Sequence, residues 1–124
     1  MGNVHWPENW PDEAAMTRLQ EELQAAVARG EYTTPVVTTM DRLLGYIRGK
    51  HWDMPASRNE VLSVISRVLK VDPLDPFDFT RAEREGREQA RQAVDFYCRH
   101  VPGFEQAYLL DTGSQIGVRS SRRL

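Results

Sequence analysis

A chain of 124 residues fits one domain, and its 40% apolar and 27% charged residues exclude the disordered and fibrous classes. Sixteen Lys and Arg against eighteen Asp and Glu leave a net charge of −2, with no global pull toward nucleic acid or an anionic membrane. The single cysteine, Cys98, excludes an internal disulfide and any Cys-based zinc or iron–sulfur site, and points to a reducing, cytoplasmic setting.

The opening Met1-Gly2-Asn3-Val4-His5-Trp6-Pro7 lacks the basic and then apolar pattern of a leader, and no apolar run approaches the roughly 20 residues that span a bilayer. Pro11, Asp12 and Glu13 read as a helix first turn. Ala15, Met16, Leu19, Leu23, Ala26 and Val27 then form one apolar stripe, and Gly30 stands where a C′ glycine belongs. The β-branched run 33–39 contains Pro35 and predicts an edge strand or extended connector; Leu43, Leu44, Tyr46 and Ile47 predict a short strand. Residues 57–71 carry two signals. Ser57 and Glu60 match a capping box, while Val61, Val64, Ile65, Val68 and Val71 suit a buried strand.

Asp72-Pro73-Leu74-Asp75-Pro76 is turn chemistry. Thr80 and Glu83 form a second capping box, which predicts a helix running to about His100 with Ala82, Gly86, Ala90, Ala93, Val94 and Tyr97 inward. Arg84, Arg87, Glu88 and Arg91 form its solvated outer face. Val101-Pro102-Gly103 ends it, and strands are predicted at 107–110 and 115–118.

Chemistry-bearing motifs are sparse. His5, His51 and His100 are too dispersed for a metal motif and read as surface or capping residues, so no metal is expected. Cys98 beside Arg99 and His100 could be a reactive thiol, but its place near a helix end favours packing. No nucleophile elbow, phosphate loop or dinucleotide fingerprint is present, and Asp111–Gly117 reads as a plain loop. The tail Arg119-Ser120-Ser121-Arg122-Arg123-Leu124 is either a solvated basic end or a set of guanidinium forks for an anion.

Four stretches carry a resemblance. They are Arg67-Val68-Leu69-Lys70-Val71-Asp72-Pro73-Leu74-Asp75, Thr80-Arg81-Ala82-Glu83-Arg84-Glu85-Gly86-Arg87, Val101-Pro102-Gly103-Phe104-Glu105-Gln106-Ala107 and Gln115-Ile116-Gly117-Val118-Arg119 through Arg123. In order and spacing over 60–124 they resemble an internal segment of a family of bacterial FAD-dependent oxidoreductases, with its T-x-A-E-x-x-G-R, V-P-G-F-E-x-A and Q-x-G-V-R-E-T-R-R motifs. The chain has Gly113-Ser114 where that family carries Ala-Pro, and Ser120-Ser121 where it carries Glu-Thr.

The resemblance implies that FAD carries the redox chemistry in the intact enzyme while this region shapes the substrate pocket. The glycine-rich Rossmann unit that would hold the ADP half of FAD is missing from the sequence. The expectation is therefore a single partial domain over 1–124: a substrate-side fragment that neither binds FAD nor turns over by itself. It would act with the remainder of the flavoprotein, or a partner chain, on a small-molecule substrate. Arg119, Arg122 and Arg123 are expected to face substrate or flavin, with structural ion pairs as the alternative, and Gln115 and Gly117 to shape the loop that delivers them. The resemblance also implies that Glu60–Val68, within the ambiguous 57–71, is a strand. The expected fold is then α+β, two amphipathic helices packed on a small, mainly antiparallel sheet, with exposed apolar surface that favours self-association. The competing function is a non-catalytic α+β protein-interaction module.

Overall fold

Two helices, α1 (Glu13–Ala28) and α2 (Pro76–His100), dominate a computed structural model that describes residues 1–5, 13–32, 59–61 and 66–118. The end of α1 follows from its glycine. Gly30 adopts φ +74°, the Gly30 N–H donates to the Val27 carbonyl, and the Glu31 N–H donates to the Ala26 carbonyl. That pair of bonds is a Schellman motif, and it satisfies carbonyls the helix would otherwise leave open.

Helix α2 starts five residues earlier than the Thr80–Glu83 box predicts. Asp75 is the N-cap: its carboxylate accepts from the Phe77 N–H at 2.9 Å, and Pro76 follows in the first turn. Proline loses nothing there, because its missing N–H would have had no helical partner. Thr80 lies inside the helix instead and donates its hydroxyl to the Pro76 carbonyl at 2.8 Å. The other end stops as expected, with Val101 extended at φ −108° before Pro102.

The core lies between the two helices and the coil laid over them. Leu19, Leu23 and Ala26 of α1 meet Ala93, Phe96 and Tyr97 of α2, and Val4, Tyr32, Val101 and Phe104 close the cluster. Phe96 is its hub, with ring centroids 6.0 Å from Tyr32, 6.3 Å from Tyr97 and 4.9 Å from His100. Ala82, Ala93 and Tyr97 face inward as their spacing predicts, whereas Ala90 and Val94 are half-buried and Gln89 takes a fully buried place.

The predicted sheet is absent. Among the described residues there is no strand, so the α+β expectation is corrected to a helical one with packed coil. Residues 107–110 contribute one isolated antiparallel bridge, Tyr108 with Gly2, and 115–118 contribute none. Of 57–71, residues 59–61 and 66–71 are neither strand nor helix; 57–58 and 62–65 lie outside the described residues, as do the runs at 33–39 and 43–47. The physical reason is visible in the bonds that replace a ladder. Residues 1–5 run between 59–61 and 103–108, with the Val4 N–H on the Asn59 carbonyl at 2.9 Å and the His5 N–H on the Gly103 carbonyl at 2.8 Å. Asn3 interrupts any regular strand there at φ +58°.

Gln89 explains the stretch around Arg67. Its side-chain Oε1 accepts from the Arg67 N–H at 2.8 Å and its Nε2 donates to the Arg67 carbonyl at 3.0 Å. A primary amide thus pairs with the peptide as a neighbouring strand would, and the buried polar group is satisfied.

Two substitution pairs test these packings by urea unfolding. Gly30→Ala places a β-carbon in open space but on a left-handed backbone, so it costs about 1 kcal/mol. Gly86→Ala meets Ile116 at 3.5 Å and Val68 at 3.9 Å, ordinary contacts inside a helix, and gains about 0.5–1 kcal/mol. Gln89→Leu keeps the volume but strips Arg67 of both partners and costs about 1–3 kcal/mol, more than Gln92→Leu on the exposed side of the same helix.

Candidate functional site

Ala82-Glu83-Arg84-Glu85-Gly86-Arg87 occupies two turns of α2. Spacing of three and four residues brings Glu83, Gly86 and Arg87 to one side of the helix, next to the buried Ala82. That side faces the coil at 112–116. Glu83 Oε1 accepts from the Ile116 N–H at 2.6 Å. Arg87 Nη1 donates to the Thr112 hydroxyl at 2.6 Å, and its Nη2 reaches the Ser114 carbonyl at 3.4 Å. The two side chains also approach each other, with Arg87 Nη2 3.6 Å from Glu83 Oε2. Gly86 lies between them, and Ile116 Cγ2 is 3.5 Å from where a β-carbon would sit, an ordinary contact distance.

The arrangement joins two of the motifs singled out in the sequence. Glu83 and Arg87 of A-E-x-x-G-R hold the coil at Thr112, Ser114 and Ile116, the last of which lies in Q-x-G-V-R. Charge-assisted bonds of this kind are shorter and stronger than neutral ones. Chemically they fix a loop; they supply no nucleophile and no proton-transfer pair.

Of the predicted site residues, Gln115 and Gly117 lie on this loop and both are exposed. Nothing lies within 4 Å of a β-carbon built on Gly117. Arg119, Arg122 and Arg123 lie outside the described residues. Glu83 and Arg87 were assigned other roles by pattern alone, a capping box and a solvated face. The signal that marks them is their common membership of one motif with glycine between them.

Other candidates resolve into structure. Cys98 donates its thiol to the Ala107 carbonyl at 3.3 Å, and burial pushes its pKa up, with Asp95 adding to the rise. It is a packing residue with a protonated thiol. His5 shares a 2.9 Å hydrogen bond with the Asn3 side chain. His100, in the last turn of α2, packs against Phe96 with the two rings tilted by 40° and has Nε2 3.7 Å from Glu22. His51 lies outside the described residues. A shallow cleft of about 290 Å³ between the C-terminal halves of the helices is floored by Tyr32 and Phe96 and rimmed by both charges, Arg91 and Arg99 against Glu31 and Asp95. Among the described residues no cluster of His, Cys, Asp or Glu is arranged for a metal ion, and no helix is long and apolar enough to cross a membrane.

A family model described as FAD dependent oxidoreductase matches residues 1–124. No curated protein and no solved structure matches the chain. Tight FAD binding takes a glycine-rich turn whose N–H groups meet the pyrophosphate at a helix start. The start of α2 is unsuited to it: Asp75 caps the Phe77 N–H, Asp78 accepts from the Asp72 N–H at 2.6 Å, and Asp72 itself accepts from Leu74. Three carboxylates take up the N–H groups of this turn, so the start of α2 does not fit the pyrophosphate half of FAD.

The same turn gives a pH test. The Arg81 guanidinium, and then the Asp72 N–H, hold the Asp78 carboxyl below the usual aspartate range. A lowered folded pKa contributes stability that is present above the unfolded value and lost as pH falls through the folded one. Protonation of Asp78 should therefore shift the Asp72 amide resonance only below the ordinary aspartate range, and Asp78→Asn should remove that component of the shift.

Proposed function

The chain belongs to the FAD-dependent oxidoreductase family, and from that premise we propose that it forms the substrate-side region of such an enzyme, binding a small carboxylate through Arg119. The observation that supports this reading is the grip of Glu83 and Arg87 on 112–116, which fixes the stretch leading directly into Arg119. A guanidinium presents a planar fork that matches a carboxylate, which a lysine does not. Arg122 and Arg123 follow in the sequence and add positive charge to the same stretch. The flavin would supply hydride chemistry when bound, and the start of α2, which opens on aspartates, would not hold its pyrophosphate.

A second reading rests on Leu74 and Phe77, which are 80% and 84% exposed at the start of α2. Apolar groups that open to solvent suit a helical docking module or self-association.

Titration of the whole chain separates the two. Succinate or benzoate followed by NMR should bind saturably, and Arg119→Ala should weaken binding about 10- to 100-fold, the worth of a charged hydrogen-bonded pair. FAD should form no stoichiometric yellow complex with the chain; such a complex overturns the substrate-side reading. Loss of carboxylate binding from the wild-type chain, with association that grows with concentration and vanishes in Phe77→Ser, would establish the docking module instead.

A further inference from the structure

Residues 1–5 lie between two stretches of coil and bond to both. On one side Met1 N donates to the Val61 carbonyl at 2.7 Å and the Val61 N–H donates back to the Met1 carbonyl at 2.8 Å. The Val4 N–H donates to the Asn59 carbonyl at 2.9 Å on the same side. On the other side Gly2 and Tyr108 exchange N–H and carbonyl bonds at 2.9 and 3.2 Å, and the His5 N–H donates to the Gly103 carbonyl at 2.8 Å. Both pairings run antiparallel, since rising numbers in 1–5 meet falling numbers in 59–61 and in 103–108. The two walls form a groove that takes an extended segment by its backbone, as an open edge takes an added strand.

Three positions make the groove selective. A β-carbon on Gly2 would lie 3.1 Å from the side chains of Leu110 and Tyr108, so a larger residue has to push them aside. Asn3 takes φ +58°, a conformation asparagine adopts more readily than most residues, and its Nδ2 donates to the Gln106 carbonyl at 3.0 Å. Val4 is buried in the cluster that holds Val61, Val101 and Phe104. A segment that seats here needs glycine, then asparagine, then a small apolar residue. Every copy of this chain carries that order at residues 2–4, which an arbitrary extended peptide does not.

We infer that the groove between 59–61 and 103–108 is a self-recognition site: it takes residues 1–5 of a second copy in place of its own, giving a reciprocally swapped dimer. Residues 6–12 are a short tether between the segment and α1. A tether of that length holds the segment beside its own groove at an effective concentration of about 1 mM. The same segment from a second copy makes identical bonds, so exchange sets in as the chain concentration nears that value. This inference does not rest on the carboxylate reading, and it uses neither Leu74 nor Phe77.

The experiment uses the whole chain in two labelled samples, one with heavy nitrogen and one with heavy carbon. They are unfolded together in urea and refolded at about 10 µM and at about 1 mM, below and near the effective concentration of the tether. Size-exclusion chromatography should return monomer from the dilute sample and an added dimer fraction from the concentrated one. Within that dimer, isotope-filtered NMR should connect the Val4 methyl groups of one copy to Val61 of the other. Phe77→Ser should leave the dimer fraction unchanged. A synthetic peptide of residues 1–5, added at about tenfold excess during refolding, should lower the dimer fraction severalfold, and the same peptide with Gly2→Val should not. The inference is overturned by a chain that stays monomeric at the higher concentration, or by a dimer whose Val4 contacts all remain within one copy. A dimer that Phe77→Ser abolishes overturns it in favour of the exposed patch at the start of α2. It falls equally if the wild-type peptide fails to compete, or if both peptides compete alike.

Discussion

Coil that joins no sheet must still satisfy its peptide groups, and in this fold a single helix does much of that work with side chains. Gln89 pairs with both polar groups of Arg67, Glu83 takes the Ile116 N–H, Arg87 reaches Thr112 and Ser114, and Asp78 takes the Asp72 N–H. Four residues of α2 therefore stand in for a missing ladder. Buried or half-buried peptide groups that lacked these partners would cost more than the packing around them returns. The apolar stripe of α2 faces α1, and the polar positions beside that stripe decide where the rest of the chain lies.

Much of the helical framework was legible in the sequence because it rests on local signals. Apolar spacing located both helices, Gly30 located the end of α1, and Pro102 located the end of α2. The start of α2 was misread because two start signals overlap. Asp75-Pro76 prevails over Thr80–Glu83, since a capped proline adds a full turn at no cost in hydrogen bonds, and Glu83 is then free to bind elsewhere. The strands expected among the described residues failed for a different reason. β-branched residues favour an extended backbone, but a strand exists only where another strand answers it, and that depends on residues far away. Around Arg67 the answering group is a helix side chain.

The candidate site was legible in its parts and not in its assembly. The helix motif and the loop motif stood out by resemblance, but no periodicity could state that Glu83 and Ile116 touch across 33 residues. Charge pattern alone placed Arg87 on a solvated face, and its side chain is indeed half exposed. What it does with the buried half, binding Thr112, is a tertiary fact. Gln89 carries the same lesson in the opposite sense, because a glutamine amid arginines and glutamates reads as surface until its peptide partner is known.

The threading of residues 1–5 sets an order of events for the nascent chain. Met1 pairs with Val61 across 60 positions, and the Asn3 side chain binds the Gln106 carbonyl across 103. Helix α1 can wind as soon as it leaves the ribosome, yet the groove that receives Val4 has no far wall until Phe104 has been made. Such distant pairings slow folding, because a long loop must close before any contact rewards it. Residues 1–5 are thus among the last to find their seats, because Val4 closes the core only once Phe104 is in place.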